Sequence, residues 1–367
     1  GIKEEEHILV MSKINGMKFS KFYIKDIDLE LEKWIGKSLR KEEAKEITDV
    51  DEVKFKSQFN SDIHKMITMK DEINLYLDLE RMSADTEGTI SHKFANEMMN
   101  KYPQIRVNNI YSKIGELRLK KSPQEVEKIK KAIEITKSGI EKLMTECRSG
   151  MKEYELEAYF DFNCKIKGAT DLAFTTIAAA GKNATTLHYV ENNSKLKDGD
   201  LIIFDLGAEY NCYNADITRT FPISGKFTER QKEVYNSVLK VNEEIISLIK
   251  PGMKYKDINE KATDLIAEEC IKLGLIKDKS EVRKYYYHSI GHSLGMDTHD
   301  IETPHRDIIF EPGVVFTVEP GIYIQEEGIG IRIEDDILVT NEGVINLSSD
   351  IIKSVDDIEN FMDKFIK

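Results

Sequence analysis

This chain of 367 residues has little cysteine, no long apolar run and no excess of positive charge, and each shortage excludes a class of protein. Its four cysteines lie far apart and form no CxxC pair, so neither a disulfide framework nor a zinc ribbon is predicted. No apolar run approaches the roughly 18 residues that a membrane span requires. The net charge of −13 disfavours nucleic acid and membrane surfaces as partners, because both are negatively charged and attract basic protein surfaces.

Composition also indicates where the protein works and how many domains it has. Cysteines without a disulfide pattern are typical of a reducing compartment, and no apolar segment of the signal-peptide kind follows the first residues, so a cytoplasmic location is predicted. The chain is 40% hydrophobic and 32% charged, and its length favours two domains over one.

The first part of the chain alternates short apolar runs with charged helical stretches, a rhythm typical of a small mixed α/β domain. We find no catalytic constellation in it. Ser122, Pro123 and Glu125 form a helix-start signature, with an N-cap, a proline at the first helical position and a capping-box glutamate. This predicts a helix from Pro123 to about Arg148 and two domains, residues 1–120 and 121–367.

The second domain carries a weak internal repeat with a period of about one hundred residues. In each half, two helices are followed by a turn and an apolar strand, and an acid comes six residues after the turn glycine: Asp205 in the first half, Glu319 in the second. A second acid follows each of them, Asp216 and Glu334 respectively. Duplication would place four carboxylates around one pseudo-twofold axis, although chance similarity remains an alternative.

These acids have the chemistry of a metal site. A carboxylate in an apolar strand is costly unless it is paired or bound to metal. A nearby segment contributes three of the eight histidines within twelve residues, namely His288, His292 and His299. Several carboxylates brought together with an imidazole suit a two-metal site. Any single acid could instead be a solvated strand end or part of a salt bridge.

Two other motifs are disfavoured by their context. His288 and His292 have the spacing of the helical HExxH zinc motif, but no glutamate follows His288, and the nearby glycines argue against a helix. Residues 291–295 match G-x-S-x-G, the nucleophile elbow of serine hydrolases, which requires a preceding apolar strand and a following helix. Neither flank fits. We find no P-loop and no dinucleotide-binding glycine motif.

Five segments together resemble the "pita-bread" metallopeptidases, which include methionine aminopeptidase, prolidase and aminopeptidase P. The similar region runs from about Ser122 to Met362, with the motifs at residues 188–192, 204–216, 288–295, 317–321 and 330–335. The first domain resembles the accessory domain of aminopeptidase P, most clearly at residues 28–37. The resemblance implies an α/β (α+β) fold: a pita-bread catalytic domain with a pseudo-twofold repeat, plus a smaller mixed α/β N-terminal domain that is incomplete at its start.

The resemblance also implies the metal ligands. Asp205 would chelate one ion, and Asp216 and Glu334 would bridge both. His292 and Glu319 would complete the second ion's coordination. Mostly oxygen donors with one imidazole favour two divalent ions, Mn²⁺ first, with Co²⁺, Fe²⁺ or Zn²⁺ as alternatives.

Further catalytic roles come from the same resemblance. Glu319 would be the general base. His188 and His299 would contact substrate and stabilise the tetrahedral intermediate. His288 would line a proline-binding pocket, and Arg332 would orient the acids and guard the substrate channel.

The implied function is a dinuclear metal-dependent aminopeptidase. It would release the N-terminal residue from peptides with proline in the second position, by attack of a metal-bridging hydroxide, and it would form a homodimer. A prolidase restricted to Xaa-Pro dipeptides stays open as an alternative. So does a non-catalytic binding module on the same fold, although such a module would be expected to lack metal ligands.

Overall fold

A computed structural model of the chain describes residues 2, 6–81, 83, 85–300 and 308–365. By internal contact the chain divides into two units, residues 1–111 and 112–367. The sequence-predicted boundary at residues 120–121 lies a little further along, between the fifth and sixth helices. No helix among the described residues is both long enough and apolar enough to cross a membrane.

The N-terminal unit is the mixed α/β domain that its sequence rhythm predicts. A three-stranded sheet has the order β1-β2-β3, with β1 and β2 antiparallel and β2 and β3 parallel, and a second sheet pairs β4 with β5 in parallel. Its elements are β1 (Ile8–Ile14), β2 (Met17–Ile24), α1 (Leu29–Ile35), α2 (Lys41–Thr48), β3 (Glu52–Phe55), α3 (Phe59–Thr68), β4 (Ile73–Leu77), α4 (Ile90–Lys101) and β5 (Ile105–Asn109).

The larger unit alternates pairs of long helices with antiparallel hairpins. Helix α5 (Tyr111–Leu119) leads into it from the junction of the two units. Its remaining elements are α6 (Pro123–Glu146), α7 (Glu153–Ile166), β6 (Asp171–Leu172), β7 (Ile177–Ala180), β8 (Leu201–Leu206), β9 (Ala208–Tyr210), β10 (Tyr213–Asn214), β11 (Ile217–Pro222), α8 (Glu229–Leu248), α9 (Tyr255–Lys272), β12 (Val315–Val318), β13 (Gly321–Ile324), β14 (Ile329–Arg332), β15 (Asp335–Val339), β16 (Val344–Asn346) and α10 (Val355–Met362).

Helix α6 begins where the sequence predicts. Ser122 is its N-cap and accepts a hydrogen bond from the Glu125 N–H, while the Glu125 carboxylate accepts one from the Ser122 N–H at 2.7 Å. The helix ends at Glu146, two residues before the predicted end. Its apolar stripe, including Ile129 and Leu143 with no exposed surface, packs into the main hydrophobic core. Burial of this stripe packs the helix against α7 and the strands β9, β10 and β11.

The predicted internal repeat is confirmed by matching backbone hydrogen bonds. Gly150 N–H donates to the Leu196 carbonyl at 2.9 Å in the first half, and Gly252 N–H donates to the Phe310 carbonyl at 2.8 Å in the second. Each bond joins the turn between two helices to the segment that leads into the next hairpin. The two halves therefore share one backbone plan, in which a hairpin follows each helix pair.

The registers of the two hairpins differ from the simple duplication of acid pairs that the sequence suggests. Strands β8 and β11 are antiparallel with Asp205 opposite Thr218. Strands β12 and β15 place Val318 opposite Asp335, so the same register continued by one residue sets Glu319 opposite Glu334. The structural counterpart of Glu334 is therefore Thr218. Asp216 lies two residues earlier, on the same face of its strand.

Candidate functional site

The predicted acids lie at strand ends and at breaks between strands. Asp205 lies within β8, whose preceding residues are almost fully buried. Asp216 comes directly before β11, Glu319 directly after β12, and Glu334 between β14 and β15. Asp216 and Glu334 are only 4% and 2% exposed. Apolar strands thus carry the carboxylates into the core of the larger unit.

The structure brings these acids together with His292. The His292 Nε2 atom lies 3.3 Å from Asp216 Oδ2 and 3.7 Å from Glu319 Oε1. One ligand atom from each of Asp216, His292 and Glu334 fits within 4.8 Å of the others, a spacing that could hold a metal ion. Asp205 and Glu319 are near enough to interact electrostatically with this group, so all five predicted ligands converge.

Two carboxylate oxygens in this cluster suit metal ligation. Asp205 Oδ1 and Asp216 Oδ1 are buried and have no hydrogen-bond partner among the described residues. A buried acceptor without a partner costs about 1–3 kcal/mol, and more when it is charged, and a bound ion or water would remove that cost. Oxygen donors with one imidazole match hard divalent cations. The residues present therefore fit a divalent metal centre.

The electrostatics of the acids also favour a divalent metal centre. Burial is the main cause that raises the pKa of Asp216 and of Glu334 well above the ordinary value, and repulsion from the neighbouring acids adds to it. Burial likewise raises the pKa of Glu319 to about 7, against the lowering effects of His292 and Arg332. Ionised together, these groups repel one another in a medium that solvates them poorly. Divalent cations would remove that repulsion.

Arg332 connects three site residues. Its guanidinium donates to Asp205 Oδ2 at 2.7 Å, to the Thr218 hydroxyl at 3.0 Å and to the Tyr323 hydroxyl at 3.0 Å. Thr218 in turn donates to Glu334 Oε2 at 2.6 Å. The Arg332 guanidinium therefore bonds Asp205, in the first half, directly, and it reaches Glu334, in the second half, through the Thr218 hydroxyl. The predicted roles of Arg332, orienting the acids and guarding a channel, both stay predictions.

Hydrogen bonds assign the tautomer of His288. Its Nδ1 lies 2.8 Å from the Ser289 carbonyl oxygen, which can only accept, so Nδ1 carries the proton. Its Nε2, 2.9 Å from the Tyr323 hydroxyl, then accepts from that group. Burial, reinforced by the charge of Arg332, lowers the pKa of His288 to about 3. Both ring nitrogens of this neutral imidazole are therefore engaged within the protein.

His188 and His299 differ from His288 in being exposed. The His299 ring lies edge-on to the His292 ring, with 4.3 Å between ring centroids. His188 lies in the segment after β7 and is close enough to His288 to interact with it electrostatically. Both imidazoles can reach a molecule that enters from solvent.

The backbone of Glu334 is fixed from behind by a fully buried arginine. Arg219 donates to the Glu334 carbonyl at 2.6 Å and to Asp335 Oδ1 at 2.7 Å. The Lys353 ammonium also donates to Asp335, at 2.6 Å. This network is an internal ion cluster with satisfied partners, and it keeps the strand break at Glu334 in one conformation.

Sequence analysis missed Thr218, Tyr323 and Asp336 as site residues. Thr218 and Asp336 each lie two residues after a predicted ligand, so strand periodicity would place them on the same face as Asp216 and Glu334. Tyr323 lies on β13, beyond the break that follows β12, so strand periodicity does not relate it to Glu319. Asp336 is fully buried, accepts from the Asp216 N–H at 3.2 Å, and has its pKa raised well above the ordinary value chiefly by burial. Period-two spacing was therefore the available signal for Thr218 and Asp336.

The structure also disagrees with the two disfavoured interpretations, a helical HExxH-type zinc motif and a serine-hydrolase nucleophile elbow. Residues 288–300 contain no helix, so His288 and His292 are not on one helical face, as a zincin requires. Ser293 forms an isolated bridge with Phe316 and is followed by bends rather than by a helix, unlike a nucleophile elbow.

Comparison with protein families matches both units. The profile of Metallopeptidase family M24 matches residues 127–341. The profile of the aminopeptidase P N-terminal domain matches residues 1–76. The first of these ranges contains all five predicted metal ligands.

Individual relatives match over most of their length. The Xaa-Pro aminopeptidase of Escherichia coli is 34% identical, with 99% of this chain and 86% of that protein covered. A solved structure from Bacillus anthracis, provisionally named an aminopeptidase P, superposes with a TM-score of 0.96 at 44% identity and covers 99% of this chain and 86% of that one. Aminopeptidase P from E. coli with the inhibitor Pro-Leu gives a TM-score of 0.90 at 34% identity, covering 99% and 87%.

Proposed function

The chain belongs to metallopeptidase family M24, and on this premise we propose that it is a metal-dependent aminopeptidase that releases the N-terminal residue from peptides with proline in the second position. Proline has no N–H and a fixed φ, so the bond before it differs in shape and hydrogen bonding from other peptide bonds. A dedicated site is the natural way to cleave it.

One observation carries the proposal. Asp216 Oδ1 and Asp205 Oδ1 are buried and have no hydrogen-bond partner in the described part of the chain. Asp216 belongs with His292 and Glu334 to a group that could hold a metal ion, and Asp205 is close enough to Asp216 to interact with it electrostatically. The carboxylates of Asp205, Asp216, Glu319 and Glu334 interact with the guanidinium of Arg332, which offsets only part of their charge. Two divalent cations would balance this charge.

Five side chains would hold the cations: Asp205, Asp216, His292, Glu319 and Glu334. Mn²⁺ is the first candidate, because four carboxylates and one imidazole form a mostly hard ligand set; Co²⁺, Fe²⁺ and Zn²⁺ are alternatives. When bound, such cations act as Lewis acids that polarise a carbonyl and lower the pKa of water towards neutrality.

Glu319 is the proposed proton carrier. Its carboxylate is half-buried, and Oε1 lies 3.7 Å from His292 Nε2, so it borders the position that an attacking water would occupy and can take and return a proton there. It accepts the proton of the attacking water. It then supplies a proton to the proline nitrogen, which must be protonated before it can leave as an amine.

The three predicted site histidines that are not metal ligands divide into two roles. His188 and His299 are exposed, and their ring N–H groups donate to the carbonyl oxygen as it becomes negative, an effect typically worth about 3 kcal/mol per donor. His288 has both nitrogens engaged, so it offers ring surface rather than a proton, which suits contact with a proline ring. Arg332 keeps Asp205 and Tyr323 in place.

Two further proposals concern the setting of the enzyme. A homodimer is proposed from the family resemblance alone. A cytoplasmic location is proposed because the four cysteines are free, and three of them are buried.

The test is metal-dependent cleavage of two matched peptides, Xaa-Pro and Xaa-Pro-Yaa-Yaa. The protein is stripped with a chelator and then reloaded separately with Mn²⁺, Co²⁺, Fe²⁺ or Zn²⁺. We expect no activity after stripping and recovery on reloading, with cleavage of the longer peptide at its first bond.

The outcomes separate the alternatives. Cleavage of the dipeptide alone would make the protein a prolidase. Binding of two metals without cleavage of either peptide would contradict the proposed reaction, and failure to bind metal would favour a binding module. Glu326→Gln is the matched control for Glu319→Gln, because Glu326 is exposed in the following hairpin. Glu319→Gln should lose activity and Glu326→Gln should keep it.

A further inference from the structure

Glu153 is a fully buried glutamate at the first residue of α7, away from the metal cluster. Among the described residues, no basic side chain forms an ion pair with it. A buried carboxylate of this kind is tolerated only when hydrogen bonds replace its lost hydration. The identity of its donors therefore indicates what the residue does.

All four of its donors come from one segment, residues 180–194, which we call the His188 segment. Glu153 Oε1 accepts from the Ala180 N–H at 2.8 Å and from the Asn183 amide at 3.0 Å. Its Oε2 accepts from the Ser194 N–H at 2.8 Å and from the Tyr189 hydroxyl at 3.0 Å. The carboxylate thus ties together both ends of the segment and the residue that adjoins His188.

The second half of the repeat shows that the backbone plan does not need this acid. Glu153 N–H donates to the Ser194 carbonyl, and at the equivalent place Tyr255 N–H donates to the Ile308 carbonyl. The counterpart of Glu153 is therefore Tyr255, whose ring packs against Phe316. The carboxylate belongs to the half that carries His188.

We infer that Glu153 is a positioning residue that holds His188 over the site through the Tyr189 hydroxyl and the two ends of the His188 segment. The inference rests on the proposed function, in which His188 donates to the developing oxyanion. His188 itself is exposed, so it depends on its segment for its position. A displacement of about 1 Å in such a group can cost about 100-fold in rate.

Glu153→Gln is a sharp test because the amide cannot satisfy four donors. Whichever way the amide turns, its NH₂ group faces two of them. Tyr189 or Asn183 can reverse its role, but the Ser194 or Ala180 backbone N–H cannot. One end of the segment is therefore released. Glu155→Gln is the matched control: it makes the same charge change on the same helical turn, where Glu155 accepts from Lys152 N–H.

The first measurement is a double-mutant cycle with His188→Ala on the Mn²⁺-loaded protein and an Xaa-Pro-Yaa peptide. We expect Glu153→Gln to lower kcat by about 10- to 100-fold with a smaller change in KM. The double variant should be no slower than His188→Ala alone. The inference would be overturned if the losses in kcat of the two single variants multiplied in the double variant, or if Glu153→Gln left kcat unchanged. Tyr189→Phe removes one donor and tests the same coupling if Glu153→Gln does not fold.

The second measurement does not depend on activity. Ring signals of the eight histidines are recorded by NMR, and those of His188 are assigned by their loss in His188→Ala. Glu153→Gln and Tyr189→Phe should shift or broaden them, and Glu155→Gln should not. Unmoved signals would overturn the inference. If the wild type cleaved no peptide but the signals moved, the proposed function would fail and the positioning role would stand.

Discussion

In the first half of the larger unit, α6 and α7 precede the hairpin of β8 and β11; in the second half, α8 and α9 precede that of β12 and β15. The turns between the helices make the same backbone bonds in both. The residues presented to the site nevertheless differ. Opposite the first acid of each hairpin stands Thr218 in one half and Glu334 in the other.

The same comparison explains the single imidazole among the ligands. Ile177 lies opposite Asp205 on β7, and Ile290 accepts from the Glu319 N–H at the equivalent place. Two residues further on, the first half has the buried Ala179 and the second half has His292. A shared backbone thus brings the chain to one axis from both sides, while local sequence decides which group arrives there.

The largest effect should come from the two acids that are not counterparts. Asp216→Asn and Glu334→Gln should each lower kcat/KM more than about 1,000-fold and reduce the number of metals bound, because losing even an outer-shell partner of a ligand costs about 10- to 100-fold. Steady-state kinetics and elemental analysis measure both. The exposed Asp350→Asn is the control. Retention of two metals by Asp216→Asn would show that metal binding does not require the Asp216 carboxylate of the first half.

Thr218, the counterpart of Glu334, offers the next test. Thr218→Val should lower the free energy of unfolding by about 1–3 kcal/mol, because it leaves buried groups of Arg332 and Glu334 without a partner. It should also lower kcat/KM by about 10- to 100-fold. Urea denaturation and kinetics measure these losses. Thr218→Ser keeps the hydroxyl and should cost about 1 kcal/mol or less; equal losses in both variants would assign the effect to packing.

The stability of the metal-free protein should depend on pH with an unusual sign. Burial raises the pKa of Glu319 from its ordinary 4.5 to about 7, so the folded state holds more protons than the unfolded chain across that window. Stability should therefore fall as pH rises through it, and the raised pKa values of Asp216 and Glu334 act in the same direction.

Thermal unfolding of the chelated protein should give a Tm several degrees higher at pH 5 than at pH 8. The metal-loaded protein should show the reverse, because cations compete with protons for the same carboxylates. A Tm of the chelated protein that rises with pH would show that the acids are not in contact with one another when the metal is absent.

The smallest effect compares the two N-caps that occupy equivalent places in the halves. Ser122→Ala and Thr228→Ala should each lower the free energy of unfolding by about 1 kcal/mol, since each side chain caps its helix by accepting from a backbone N–H in the first turn. Chemical denaturation of the single and double variants measures this. The losses should add, because the sites share no partner. A much larger loss of unfolding free energy at one cap would show that the two halves depend unequally on their N-caps.

Local sequence signals account for much of the fold. The start of α6 at Pro123 is as predicted, because a capping box acts within one helical turn. The internal repeat is also confirmed. The counterpart of Glu334 was not predictable from spacing, because the second hairpin is longer than the first and cross-strand register depends on where each one turns.

The sequence by itself determined which residue types are present, their strand and helix positions, the family resemblance and the acids expected to bind metal. Only the tertiary structure decided that Arg332 bonds Asp205 directly and Glu334 through Thr218, that the Tyr323 hydroxyl bonds His288, and that Glu153 ties the His188 segment. These contacts join residues far apart in the chain. No local pattern encodes them, because they exist only once the core has packed two halves against one axis.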